Sequence, residues 1–453
     1  MKILLIASNI ATSPYPVYPL GLSMVAAALK AAGHDVHQLD FLVNEKSLEK
    51  IQFFVNEYSP ELIGISIRNI DNVNLMNEQR YIDTVKDIIT AIKAKTGVPV
   101  ILGGPGFSIM PEVILKQVGA DYGVVGEGEA VMIEFVNDFS AGKLPEQKLI
   151  HAGHKLTGRE ISAAAYDPRI LQFYLQSGNM VNMQTKRGCS HRCVYCSYPI
   201  LEGRQIRPRD PHDVVYDIAR LIEEHHAKYL FFTDSVFNDD DGYYLEVIEE
   251  MRSRAISIPW TAFFKPDKAL NDDIINLMKA TGLKAAEIGA DASTDTTLRA
   301  IGKNFTFNDV RYCNDIFTKN GVATAHSYMF GCPDETQETV LDGIENIRAM
   351  KDTVSFMFMG IRILPDTPLF ERAVREGVIT LEQDLLNPVY YIAPGLDRQW
   401  LEETLTKGFE GLRNCIFPPD KFDSSLRFMH KLGYSGSLGD MLLQKSTRRN
   451  RRK

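Results

Sequence analysis

The chain runs to 453 residues, more than one ordinary hydrophobic core can organise, so two or three domains are expected. Apolar residues make up 45% and charged ones 24%, the balance of a soluble globular protein, and no apolar run reaches membrane-spanning length. A net charge of −8 excludes a general attraction to nucleic acid or to an anionic membrane, and six cysteines in so long a chain suit a reducing cytosol better than a disulfide framework.

From residue 1 to 152, short apolar runs alternate with helical stretches, the pattern of a doubly wound parallel sheet. Strands are predicted at Lys2–Ala7, Val36–Phe41, Leu62–Arg68, Val98–Leu102 and Tyr122–Val125, with crossover helices such as Gly21–Ala32 and Arg80–Lys95 between them. Lys2–Ala7 is too short for a signal-peptide core and is followed at once by Ser8-Asn9, which suits a buried first strand. Ligands of such sheets lie beyond the carboxyl ends of the strands. Those ends carry Pro19-Leu20-Gly21, then Arg68, Asn69 and Asp71, then Gly103-Gly104-Pro105-Gly106, then Gly126-Glu127-Gly128-Glu129. Glycines at so many strand ends let the backbone approach a broad, planar ligand.

Residues 153–179 read as a linker, after which a strand at Met180–Thr185 delivers Lys186-Arg187-Gly188-Cys189-Ser190-His191-Arg192-Cys193-Val194-Tyr195-Cys196. This CxxxCxxC loop can aim three thiolates at one centre, and thiolates suit zinc or an iron–sulfur cluster. Three ligands leave one position open, whereas a structural zinc site is closed by four. His191 lies inside the first Cys–Cys gap, where reaching back to the same metal is strained. Buried small hydrophobes, a zinc knuckle and redox thiols are the alternatives. Arg204, Arg207 and Arg209 follow closely, either to bind carboxylate or phosphate or to wrap the loop and pair with local acids.

Repeated strand–helix units come next, with strands at Tyr229–Thr233, Trp260–Phe264, Ala286–Gly289, Thr324–Phe330 and Ser355–Ile363. With the strand before the cysteines they make six parallel strands over residues 180–374, whose polar carboxyl ends would line the mouth of a β/α barrel. His326 lies on the fifth of them. Residues 375–453 read as a C-terminal helical cap with helices at Trp400–Leu412 and Phe422–Leu432, ending in the basic run Lys445–Lys453, taken as a solvated terminus.

The cysteine spacing with Tyr195 before the last cysteine resembles the cluster loop of the radical S-adenosylmethionine superfamily, and the partial barrel of six strands is that family's. The resemblance implies that Cys189, Cys193 and Cys196 hold a [4Fe-4S] cluster whose fourth iron chelates S-adenosylmethionine. Tyr195 would pack beside the cofactor. Asp234, Ser235 and Asn238 match the segment that holds its methionine end, Asp291 stands where the family contacts ribose or carboxylate, and Gly331-Cys332-Pro333-Asp334-Glu335-Thr336 looks like the family's G-x-P-x-E-T signature, where Glu335 and Thr336 also suit capping of the next helix. Ile363 would pack on adenine. The first domain resembles the cobalamin-binding domain that precedes many such barrels, implying a site of Pro19, Gly21, Arg68, Asn69, Asp71, Gly103, Gly104, Gly126 and Glu127. It departs from cobalamin domains that supply a histidine to cobalt, because the loop Asn9–Pro19 lacks DxHxxG; His37 is read as an ordinary strand residue. Arg68 would then meet the lower face, unless it pairs with Asp71. The family chemistry is reductive cleavage of S-adenosylmethionine to a 5′-deoxyadenosyl radical, with electrons from a low-potential donor such as flavodoxin or ferredoxin. The cobalamin domain implies methylation of an unactivated carbon of a small-molecule substrate in the cytoplasm. A non-methylating dehydratase, epimerase or cyclase is the alternative, and a non-catalytic iron–sulfur or zinc protein a further one.

Overall fold

A computed structural model describes residues 1–178, 180–434 and 436; the basic run Lys445–Lys453 lies outside the described residues. Strands β1 (Lys2–Ala7), β2 (Asp35–Asp40), β3 (Leu62–Ser66), β4 (Val100–Gly103) and β5 (Tyr122–Val125) form a parallel sheet in the order β2-β1-β3-β4-β5. A sixth strand, β6 (Leu149–His151), extends it beyond β5. Three partly exposed residues carry too little apolar signal to announce β6 in the sequence. In β1, Ile3 and Leu5 pack with residues of the helices Leu20–Ala31 and Gly128–Ser140, while Leu4 and Ile6 pack with residues of Leu48–Tyr58 and Ile82–Lys93. Both faces are covered, which is why the strand is apolar at successive positions.

The second sheet begins with β7 (Met180–Met183). Next comes a two-stranded antiparallel hairpin of β8 (Lys186–Arg187) and β9 (Arg207–Pro208). Then β10 (Tyr229–Phe232), β11 (Trp260–Phe264), β12 (Leu283–Asp291), β13 (Ala323–Phe330) and β14 (Thr353–Met359) pair in parallel with β7 in the order β14-β13-β12-β11-β10-β7. Val181, Leu230, Phe232, Trp260, Ala262, Phe264, Ala286 and Ile288 bury one face of this sheet against helices. A short antiparallel pair, β15 (Ile361–Arg362) with β16 (Tyr390–Tyr391), follows. The C-terminal region is not purely helical: β17 (Cys415–Ile416) pairs with β14 as a seventh parallel strand. The helices Arg398–Gly408 and Asp423–Lys431 flank it. With β7 and β17 as its two edges the sheet is an open, partial barrel. No described helix is long and apolar enough to cross a membrane.

Candidate functional site

The hairpin of β8 and β9 closes the base of the loop 188–206 that carries the cysteines. Gly188 at φ +91° is required there, since a Cβ would lie 2.0 Å from the Gln205 carbonyl. Asp234, buried just beyond β10, accepts hydrogen bonds from the Thr185 N–H at 2.7 Å, the Thr185 hydroxyl at 2.6 Å and the Lys186 N–H at 3.2 Å. Lys186 is itself buried, donating to the Phe237 carbonyl at 2.7 Å with Asp239 3.2 Å away. Ser235 donates to the Gly188 carbonyl at 2.8 Å, and Asn238 bonds both the carbonyl and the N–H of Lys265. Asp234 and Ser235 therefore hold the residues that lead into the cysteine loop, and Asn238 holds the backbone at Lys265.

Cys189 is buried, and Cys193 and Cys196 are partly so. Cys193 and Cys196 lie within electrostatic reach of each other and of Cys189. Burial pushes the Cys196 thiol up to about 12 and raises that of Cys193. Redox-active thiols have lowered values, the opposite of what burial does here.

Around the loop, Tyr195 donates its hydroxyl to Asp291 at 2.7 Å, and Asp291, at φ +65° where β12 ends, also pairs with Lys303. Thr336 caps the helix Gln337–Arg348, accepting from Thr339 N–H at 3.3 Å. Glu335 does not cap; it turns back to accept the N–H groups of Gly331 and Cys332. Burial nevertheless pushes its carboxyl from 4.5 up to about 7, against those two bonds. A raised carboxyl means that the folded chain keeps a proton the unfolded chain has released, so stability falls as pH rises from 4.5 to about 7. Glu335→Gln should flatten that fall by up to ~3 kcal/mol, read as the wild-type minus variant difference in melting at about pH 5 and about pH 8. Ile363 is fully buried in the core, with its N–H bonded to the Val389 carbonyl at 2.9 Å. His326 is buried on the helix side of β13 beside Asn314, not in the barrel lumen.

A cavity of about 600 Å³ lies between the two sheets. Pro19, Gly21, Arg68, Asn69, Asp71, Gly103, Gly104, Gly126 and Glu127 all line it, so the strand-end residues singled out in the sequence do share one space. A Cβ on Gly21 or Gly103 would meet nothing within 4 Å, as expected of glycines facing open room. The cavity runs down past Gly64, Leu5, Ile101, Val124 and Met132 as an apolar slot. Open room at the glycines of the strand ends, joined to an apolar lining between sheet and helices, suits a planar macrocycle bearing a pendant aromatic base. No histidine lines the cavity among the described residues; His37 lies against Tyr58 and Arg169 instead. The opposite wall includes Ser197 and Tyr198, immediately after Cys196.

Several site residues were not legible in the sequence. Arg68 and Asp71 do not pair: Asp71 is buried against Arg362 at 2.9 Å, both side chains 2% exposed. Arg187, one residue before the cysteine loop proper, reaches Glu127 at 3.1 Å and Glu129. Arg207 pairs with Glu127 and donates to the Glu202 carbonyl at 2.8 Å. Arg209 pairs with Asp217 at 2.6 Å, and Arg204 donates to the His191 carbonyl at 3.1 Å. Within this arginine cluster Arg204 and Arg209 take partners close by, as the loop-wrapping reading has it, whereas Arg207 pairs with an acid of the first domain.

Comparison with known proteins agrees with this geometry. Residues 7–136 match the family model described as the B12 binding domain, and residues 183–347 that of the Radical SAM superfamily. The fold superposes on radical S-adenosylmethionine methyltransferase TsrM from Kitasatospora setae, solved with tryptophan substrate and a S-adenosylmethionine analogue, with a TM-score of 0.84 over 100% of this chain and 99% of that one at 20% identity. Tryptophan 2-C-methyltransferase of Streptomyces laurentii is 24% identical over 429 residues, covering 77% of this chain and 71% of the relative. Anaerobic magnesium-protoporphyrin IX monomethyl ester cyclase of Rubrivivax gelatinosus is 23% identical over 344 residues, 71% of this chain and 60% of the relative.

Proposed function

The chain belongs to the radical S-adenosylmethionine superfamily and carries a B12-binding domain ahead of its barrel, and from that premise we propose that it is a cobalamin-dependent radical methyltransferase acting on a small molecule. Cys189, Cys193 and Cys196 would hold a [4Fe-4S] cluster with one iron left for S-adenosylmethionine, and the strand ends of the first sheet would hold cobalamin. Bound there, these groups supply a 5′-deoxyadenosyl radical, a methyl donor and an entry point for an electron from a low-potential donor such as flavodoxin or ferredoxin. The observation that carries the reading is the shared chamber: the residues that follow Cys196 form one wall of the cavity whose other wall is the glycine-rich edge. A non-catalytic electron carrier has no use for such a chamber, whereas a transfer between two cofactors and a substrate needs their reacting atoms brought close. In and around it the chain's own residues do three things. Asp234, Ser235 and Gly188 fix the approach to the cysteines, the apolar slot keeps water out of the first domain, and Arg68 presents a cation at the end of β3.

Protein purified from cells supplied with cobalamin should retain the corrinoid spectrum in stoichiometric amount. Gly103→Phe, which fills the open space, should lose the corrinoid and keep iron and sulfide; retention of cobalamin by that variant, or none in the wild type, argues against the site. Arg68 supplies no lower ligand in this reading, so the cob(II)alamin EPR spectrum should lack nitrogen splitting. Arg68→His should introduce it, and nitrogen splitting already in the wild type contradicts the assignment. A cyclisation outcome is the second reading, favoured by the cyclase among the relatives; transfer of label from methyl-labelled S-adenosylmethionine to a product separates the two.

A further inference from the structure

We infer that Lys303, a residue outside the cysteine motif and the glycine-rich edge, sets the reduction potential of the cluster through the buried charge it holds beside the cysteine loop at Cys193; the inference rests on the reading of Cys189, Cys193 and Cys196 as cluster ligands.

Lys303 follows Gly302, and the approach of this segment to the cysteine loop is built into the backbone. Gly302 has φ +82°, and a Cβ on it would lie 2.4 Å from the Arg192 carbonyl. Beside it the Val194 N–H donates to the Ile301 carbonyl at 3.0 Å. Glycine is thus the residue that lets residues 301–303 lie flat against residues 192–194, and the lysine that comes next is aimed at the loop. Its side chain is 10% exposed. The ammonium pairs with Asp291, whose carboxylate also receives the Tyr195 hydroxyl at 2.7 Å, and its segment lies against Cys193, whose Cα is 3.5 Å from where a Cβ on Gly302 would stand. Its Nζ lies 5.9 Å from the Tyr195 ring and 5.7 Å from that of Phe305. The result is a chain of contacts, Tyr195 to Asp291 to Lys303, that starts inside the cysteine motif and fixes a buried ammonium against the segment that carries Cys193.

A cation fixed beside a ligand sulfur favours the more negative, reduced form of a cluster and raises its potential, because charge and hydrogen bonds at the sulfurs are among the terms that set it. Low exposure keeps solvent from screening that charge. Asp291 works in the opposite sense: it orients the ammonium and cancels part of its field. Lys303 is a positioning and tuning residue in this account, since it acts on the cluster through its charge beside the loop at Cys193.

The test is potentiometric EPR on anaerobically reconstituted protein without S-adenosylmethionine, so that contacts to that ligand cannot contribute. Iron and sulfide content is measured first on every sample. Lys303→Met should lower the reduced-to-oxidised ratio about tenfold at a fixed solution potential, a midpoint ~59 mV more negative for a one-electron couple. Lys303→Arg should restore most of the shift, and Asp291→Asn should move the midpoint the other way. An unmoved midpoint in Lys303→Met at full cluster content overturns the inference. Should that variant fail to hold a cluster, the direction of the Asp291→Asn shift decides: positive supports it, none or negative overturns it. A wild type that assembles no iron–sulfur cluster removes the underlying reading, and the inference with it.

Discussion

Cys193→Ala should abolish 5′-deoxyadenosine formation, to the level of a reaction without enzyme, when the anaerobic protein is given dithionite and S-adenosylmethionine. Three thiolates are the protein's whole contribution to the cluster in this reading, and losing one leaves two irons without protein ligands. Iron and sulfide, about four of each per chain in the wild type, should fall with the activity. The control is chemical as well as positional. Cys313 is fully buried in the apolar cluster around Phe264 and Phe317, and burial pushes its thiol up to about 12, so it acts as a small hydrophobe. Cys313→Ala should keep full iron and lose only ~1 kcal/mol of stability from the small void it leaves. Zinc without sulfide in the wild type, or 5′-deoxyadenosine from Cys193→Ala, would contradict the cluster.

The difference between those two cysteines was legible in the sequence because it lies in spacing. Three thiols within eight residues form a local pattern, and so do glycines at the ends of apolar runs; the structure gathers the glycines around one cavity whose opposite wall is Ser197 and Tyr198, directly after the last cysteine. The roles of Asp234, Ser235 and Asn238 were not legible, although their place was. Their partners are backbone groups some 27 to 49 residues away, and no local pattern states whether a polar side chain at a strand end faces a ligand or a neighbouring loop. Pairings over longer separations were hidden more completely. Arg362 and Asp71 are 291 residues apart, and Arg187 and Glu129 are 58 apart. Sequence offered Arg68 as the partner of Asp71, and local acids as partners of Arg204, Arg207 and Arg209; Arg362 and Arg187 emerge as partners of Asp71 and Glu129 only in the packed structure.

That packing is where the second large effect is expected. Arg187, 8% exposed, touches Glu127 and Glu129 from the first domain, and Arg207, 5% exposed, shares Glu127. Burial alone would raise the Glu127 carboxyl; hydrogen bonds and charge from the two arginines, with the Leu156 N–H, outweigh it and hold the value below the ordinary range. The stability this pairing contributes is therefore present above pH 4.5 and is lost as pH falls through the lowered value. Arg187→Met removes one cation and leaves buried carboxylates short of a partner, a change that costs ~3–5 kcal/mol when a buried pair is broken. Because residue 187 leads directly into Gly188 and Cys189, cluster content should fall as well. The double variant Arg187→Met with Glu129→Leu tests the cause: it removes charge from both sides and should recover most of the stability, since buried ion pairs replaced by apolar side chains are often near neutral. Denaturant midpoints give the stability, and iron content gives the alignment of the loop. If the double variant regains stability but not iron, the guanidinium is needed to align the cysteine loop against the first domain; if it regains both, the pairing is there to neutralise its own buried charge.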